Sequence, residues 1–439
     1  MRTNVKPTPI HTHEGAVAQH ISSLAQLRRS VMSCLLWESE FYEDGESIAD
    51  RIKMLVPACD PAKVAALAIE ARTNGNLRHV PLLLIRELAR HPRAHGAMVG
   101  KAIRDVIQRA DEPAEFLSLY WKDGRQPLSK QVKKGLAAAL RKFNAYSLAK
   151  YNRDGAIKLR DVLFLVHAKP KDEQQAADWK ALVEGTLAAP DTWEVALSAG
   201  ADKKATFERL IREGQLGYLA LLRNLRNMTE AGCDEALVRE AILARKGAER
   251  VLPFRYIAAA RAAPRFEREL DTALCASMVE APRLPGHTVV MVDVSGSMDA
   301  PLSSKSDLQR VDAACGVAAV IAGIGERVSV YSFSNALAEV PPRQGMALIE
   351  AVNRSQPHSG TYLGQTIKTL HDKGPKYDRL IVVTDEQAAD KVPAPNGKGY
   401  MINVASAKNG VGYGAWTHLD GFSESVVRFI RENETQQGA

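Results

Sequence analysis

At 439 residues the chain is too long for one compact domain, and its composition, 46% hydrophobic and 25% charged, is that of an ordinary folded protein. No run of about 18 apolar residues is present to span a membrane, and the first fifteen residues lack the apolar core of a signal peptide. The five cysteines (Cys34, Cys59, Cys233, Cys275, Cys315) are scattered with no Cys-x-x-Cys pair. That pattern fits reduced thiols in a cytoplasmic protein and argues against a disulfide framework or a zinc site.

The net charge of +7 is unevenly placed. From Leu284 onward there are 14 Lys/Arg against 16 Asp/Glu, whereas Lys122 to Lys171 holds 13 Lys/Arg against 3 Asp. A surplus this local points to a surface for a polyanion more than to general solubility.

Residues 1–15 read as a flexible N-terminal arm, polar and Pro/His-containing; His11-Thr12-His13 could bind a metal, but a mobile tail is the plainer reading. Residues 16–281 read as helix after helix. Apolar residues recur at helical spacing in Ile21–Trp37, Ile48–Val56, Ala62–Ala71, Val80–Ala89, Ala97–Ile107, Phe116–Trp121, Val132–Phe143, Leu216–Leu225 and Ala236–Leu243. Turn pairs such as Asp60-Pro61, Asn74-Gly75 and Asp123-Gly124 separate them. Short helices joined by tight turns predict an α-solenoid without a clean repeat period.

Within it, Ser129 to Phe143 is the most informative helix. Val132, Leu136, Leu140 and Phe143 share one face; Lys130, Lys134 and Arg141 share another. The basic run continues through Lys142, Lys150, Arg153, Lys158, Arg160 and His167. Cations spaced along a surface suit phosphates, because each neutralised phosphate adds counterion-release free energy. Tyr146, Tyr151 and Phe164 could stack on unpaired bases but are read as core.

Ala281 to Gly286, with two prolines and a glycine, ends the helical region; residues 282–286 read as a linker. Residues 287–435 then alternate β-like and helical runs: Thr288–Val292, Val311–Ile324, Val328–Phe333, Met346–Val352, Leu363–Leu370, Leu380–Thr384, Tyr400–Val404 and Ser423–Ile430. Such a series predicts a Rossmann-like fold with a mostly parallel sheet. The fold class is thus multidomain, α followed by α/β.

The first of these strands runs into Asp293-Val-Ser295-Gly-Ser297. Ligands gather at the C-terminal tips of strands in open α/β sheets, and carboxylates with hydroxyls suit a hard divalent cation, Mg²⁺ above all. Thr361, just before the helix carrying Leu363, and Asp385, at the end of Leu380–Thr384, should reach the same edge. Glu386 beside it reads as an exposed acid at a helix start.

Asp293, Ser295, Ser297, Thr361 and Asp385 together resemble the metal-ion-dependent adhesion site of von Willebrand factor A domains. That resemblance implies hydroxyls binding Mg²⁺ directly, carboxylates acting mainly through water, and a position open to an acidic group of a partner. Upstream, Leu24 to Trp37, Phe41 to Gly45, Arg78-His79-Val80-Pro81, Asp161-Val162-Leu163 with His167-Ala168-Lys169-Pro170, and Leu221 to Met228 resemble the TROVE module. This is the helical domain of the Ro autoantigen and its bacterial relatives. A TROVE module followed by an A domain is the Ro architecture.

The resemblance implies a ring of HEAT-like helical repeats closed by the A domain. It also implies small noncoding Y-like RNA on a basic outer surface, single-stranded 3′ ends of misfolded RNA in a central hole, and a role in RNA quality control or degradation. Lys150 and His167 lie in the block matching the family's RNA-binding segment. Lys158-Leu159-Arg160-Asp161 departs from the His-Lys-Asp step often found there.

No Gly-x-x-x-x-Gly-Lys-[Ser/Thr] and no His-Glu-x-x-His is present. Nothing requires catalysis, and the hydroxyl-rich set argues against a two-metal nuclease. The expectation is a cytoplasmic, monomeric, non-enzymatic RNA-binding scaffold that hands RNA to an exoribonuclease or repair protein. The alternative is a metal-dependent protein-interaction module acting mainly through its A-domain site.

Overall fold

The computed structural model describes residues 10–12, 14–18, 22–32, 45–75, 77–152, 155–249, 251, 253–279, 283–301, 308–405, 410–421, 430 and 433–434. Contacts group the chain into two compact units, one of residues 23–36 and 46–200, the other of residues 1–22, 37–45 and 201–439. Among the described residues no helix is long and apolar enough to cross a membrane.

The first unit is helical throughout its described residues. Several of its helices begin at capping residues that interrupt the apolar pattern. Asp60 accepts from Ala62 N and Lys63 N ahead of Pro61–Thr73. Ser129 accepts from Val132 N ahead of Lys130–Leu140, and Asn144 from Ser147 N ahead of Ala145–Tyr151. Each such cap satisfies an orphan amide of the first turn. One continuous apolar cluster runs through the unit, from Leu27 to Leu182. Beside it lies a buried charge network: Glu112 accepts from Arg72 at 2.8 Å and from the amides of Gln108 and Arg109 at 2.7 and 3.0 Å.

The second unit joins the helices between Lys203 and Val279 to a six-stranded sheet. Its strands are β3 (Leu284–Asp293), β4 (Gly325–Phe333), β5 (Leu337–Val340), β6 (Arg379–Thr384), β7 (Lys398–Asn403) and β8 (Thr417–Asp420). They lie in the order β5-β4-β3-β6-β7-β8, and only the β4–β5 pair is antiparallel. Helices Arg310–Ile324, Gly345–Asn353 and Leu363–Lys373 fall where the apolar runs placed them. The run Ser423–Ile430 lies outside the described residues except at Ile430.

Two readings of the sequence are corrected here. The segment 282–286 marks a change of secondary structure, not an edge between compact units. β3 already begins at Leu284, and Gly286 takes φ +78° where the β3–β4 register shifts. A side chain there would meet the Asp378 carboxylate, which instead accepts from His287 N at 2.6 Å. The helices before it belong with the sheet because they pack on its covering helices. Arg261 pairs with Asp312 at 2.8 Å, and Asp271 accepts from Met346 N at 2.7 Å.

The N-terminal arm is the second. Its described part is a hairpin of β1 (Ile10–His11) and β2 (Val17–Ala18) seated on the sheet domain. Thr12 Oγ1 and Ala16 N both donate to Ala388 O, at 2.7 and 3.3 Å, and Ala16 joins the apolar cluster containing Val289 and Met291. Buried polar backbone needs partners, and Ala388 supplies one that no local pattern reveals. Residues 1–9 and His13 lie outside the described residues.

Candidate nucleic-acid interface and metal centre

The helix Lys130–Leu140 buries Val132, Leu136 and Leu140 and leaves Lys130 and Lys134 exposed. Beside it the helix Leu159–Val166 ends at His167, whose left-handed backbone (φ 52°) stops the helix. Arg141 Nε donates to Lys169 O at 2.8 Å, and the buried Gln175 amide donates to Arg141 O at 3.1 Å. These bonds tie the two helix ends together.

The result is a cavity of about 480 Å³ lined by Leu128, Lys130, Lys133, Lys134, Ala137, Arg141, Val166, His167 and Lys169. Its lining holds five Lys/Arg and no acid. Lys133 and Lys169 belong to it although the face count did not select them. Lys133 is half-buried at the margin of the basic face, and Lys169 arrives from the loop beyond His167.

The other expected cations lie outside this lining. Lys142 Nζ donates to Arg104 O, and to Ile107 O at 2.8 Å. It thereby closes the end of the helix Met98–Val106, and burial pulls its pKa down. Lys150 Nζ sits 3.9 Å from Glu194 and over the Tyr151 ring. Lys158 caps the helix Leu159–Val166, its amide donating to Asp161 at 2.9 Å. Arg160 is exposed, 3.9 Å from Asp161. Arg153 lies outside the described residues. The aromatic reading divides: Tyr151 packs on the core and under Arg109, but Tyr146 and Phe164 are exposed, not core.

The second constellation forms where the adjacent parallel strands β3 and β6 end. Asp293, fully buried, accepts from Ser295 N at 2.9 Å and from Thr384 Oγ1 at 2.5 Å. Ser295 Oγ lies 3.3 Å from Ser297 Oγ, which donates to Asp385 Oδ2 at 2.6 Å. Thr361, also buried, is brought to the same edge by backbone bonds. Gly296 N donates to Ser359 O at 2.9 Å, and Ala389 N to Thr361 O at 2.8 Å. The sheet therefore gathers all five residues from three separate loops.

Burial, and then the neighbouring charge of Asp385, raise the Asp293 pKa. Two buried carboxylates repelling across a pair of hydroxyls make a donor set that a hard divalent cation would neutralise. The set holds two carboxylates, Asp293 and Asp385, and three hydroxyls; among the described residues there is no group of three or more His, Cys, Asp or Glu that could hold a metal.

Glu386 departs from its sequence reading. It is fully buried, in a left-handed conformation (φ 61°), and no helix starts there. The turn after β6 points it inward, where Glu386 Oε1 lies 2.5 Å from His418 Nε2 and Oε2 accepts from Gly412 N at 3.0 Å. The Tyr413 ring stacks on His418 at 4.0 Å. A partner 32 residues downstream on β8 leaves no local signal.

Comparison with known proteins agrees with this architecture. Residues 176–303 match the TROVE domain and residues 287–396 match the Ro60 vWA domain. The solved structure of the Deinococcus radiodurans Ro (RSR) protein shares the fold with a TM-score of 0.60 at 18% identity, over 92% of this chain and 97% of that one. Telomerase protein component 1 of Mus musculus and of Rattus norvegicus is 32% identical over 111 residues, 24% of this chain. The match spans only 4% of the length of those relatives. The two family matches together run from residue 176 to residue 396, just over half of the chain, and on them the chain belongs to the TROVE-domain Ro family.

Proposed function

We propose that this protein is a non-enzymatic RNA-binding scaffold. The observation that carries the reading is the cavity lined by Lys130, Lys133, Lys134, Arg141, His167 and Lys169 with no acid among them. Five cations around one concavity suit consecutive phosphates of a polyanion. The ligand on this surface is a structured small RNA of the Y type. Single-stranded 3′ ends of misfolded RNA enter a separate central opening that a duplex does not fit. The protein acts in cytoplasmic RNA quality control as a monomer, passing RNA to an exoribonuclease or repair partner.

The A domain supplies the second contact. Asp293, Ser295, Ser297, Thr361 and Asp385 hold Mg²⁺, which accepts an acidic side chain of the protein partner. A reading in which this site dominates, as a metal-dependent protein-interaction module, draws on the convergence of Ser297 and Asp385. The test is equilibrium binding of a stem-loop RNA with a single-stranded 3′ tail against the same RNA blunt-ended, across a salt series. Tight, tail-dependent binding that weakens steeply with salt supports the scaffold. Weak binding indifferent to tail and salt moves the function to protein ligands of the Asp293 site.

A further inference from the structure

Phe164 is 61% exposed, although it lies in the middle of a helix beside the basic cavity. The other phenylalanines whose burial is described, Phe116, Phe143, Phe207, Phe266 and Phe333, are all buried. The helix Leu159–Val166 already has a complete apolar face in Leu159, Val162, Leu163 and Val166. Phe164 points about 150° round from the centre of that face, where helical periodicity calls for a polar residue. The ring therefore contributes nothing to the core.

Its neighbours one turn away on the same helix are Arg160 at i−4 and His167 at i+3. Both are exposed, and His167 lines the cationic cavity. The one acid within a turn, Asp161, is already engaged by the Lys158 amide at 2.9 Å. An uncovered aromatic face between an arginine and a cationic cavity is the combination that single-stranded nucleic acid uses. The cations take the backbone and the ring takes a base. An apolar protein partner would need a wider apolar surround than Arg160 and His167 offer.

We infer that Phe164 stacks on an unpaired base whose flanking phosphates lie in the cavity of Lys130, Lys134, Arg141 and Lys169. The inference rests on the RNA reading above and makes it more specific. This surface selects structured RNA with an unpaired nucleotide, at a bulge or loop, over continuous duplex.

The test compares wild type, Phe164→Ala, Phe164→Leu and Phe164→Trp for affinity to a blunt-ended stem-loop RNA with a uridine loop, which has no free single-stranded end, and to a blunt RNA duplex, with thermal melts to confirm folding. Phe164→Ala and Phe164→Leu should each lose about tenfold for the stem-loop and leave duplex binding unchanged. Phe164→Trp should restore or exceed wild-type affinity, and its added indole emission should be quenched by the stem-loop. Equal binding by wild type and Phe164→Ala, or a Leu variant as good as wild type, would overturn the stacking role while leaving the RNA reading intact; the Leu result would indicate a plain apolar contact such as a protein partner makes. If wild type binds neither RNA, the functional reading itself falls and takes this inference with it.

Discussion

Ser297 donates its hydroxyl to the carboxylate of Asp385 at 2.6 Å, although 88 residues separate them. The bond closes a circuit of three loops. Ser297 holds the loop after β3 to the loop after β6, and the backbone of Ser359 and Thr361 holds the intervening segment to both. The N-terminal hairpin fastens the same rim from outside, because Thr12 and Ala16 donate to Ala388 while its neighbour Ala389 donates to Thr361. The candidate metal centre is thus assembled from three distant stretches of chain and fastened by a fourth.

Asp293→Asn should separate stability from metal binding. Asp293 and Asp385 repel each other in the buried site, so removing one charge should leave the metal-free melting temperature unchanged or raised. In wild type, Mg²⁺ should raise the melting temperature, with about 2.7 kcal/mol of stabilisation at a hundredfold excess over its dissociation constant. Asp293→Asn should abolish that Mg²⁺ response. A variant that melts lower without Mg²⁺ and still responds to it would contradict the assignment.

Lys142 should behave as a structural lysine. Its ammonium closes the end of the helix Met98–Val106 through the carbonyls of Arg104 and Ile107. Lys142→Ala should cost about 1.5–3 kcal/mol in urea unfolding, as expected for hydrogen bonds from a charged group. RNA affinity measured under native conditions should stay within about twofold, well short of the factor of ten that 1.4 kcal/mol represents. A large affinity loss in a stable variant would move Lys142 into the RNA surface.

Glu112 should be the costliest single residue of the first unit. It is fully buried, and both of its oxygens are engaged, by Arg72 and by the amides of Gln108 and Arg109. Glu112→Ala removes the carboxylate that pairs with Arg72, leaving that charge only its backbone partners Val106 O and Leu77 O, and should cost about 3–5 kcal/mol. A loss below 1 kcal/mol by chemical denaturation would show that the network relaxes around the gap.

Acid should loosen the far edge of the sheet. Burial pushes the Glu434 pKa up, but Arg379 at 2.6 and 2.8 Å, with Lys398 and Tyr400, more than offsets that and holds it below its ordinary value. A depressed folded-state pKa means that the contribution is fully present above the unfolded value near 4.5 and is lost as pH falls through the folded value. Glu434→Gln should therefore lower stability at pH 7 and flatten its decline below pH 4.5. An unchanged acid limb would contradict the clamp.

The alternation of β and α runs was legible because β3 and β6 are long, apolar and central. β5 and β8 were not, being four-residue edge strands with little alternation. The five residues of the candidate metal centre were legible as a spaced motif at strand ends, and the structure brings them to one edge of the sheet. Glu386 was misread because its partner His418 is purely tertiary. Helical phase placed Lys130, Lys134 and Arg141 together, yet it could not show that Lys142 folds back on a neighbouring helix. Nor could composition show that Phe164, apolar by type, faces outward. The N-terminal hairpin escaped notice because its anchor, Ala388, lies 376 residues from Thr12.

The central claim is that RNA binds through the charge of one cavity. The direct measurement is stem-loop RNA affinity for wild type, for Lys130/Lys134/Arg141→Glu, and for Lys63/Lys180/Lys203→Glu, which changes net charge equally from exposed lysines elsewhere. The account predicts a loss of at least a hundredfold and a shallower salt dependence for the first variant, with the second within a fewfold of wild type. Equal losses in the two variants, or none in the first, would contradict it.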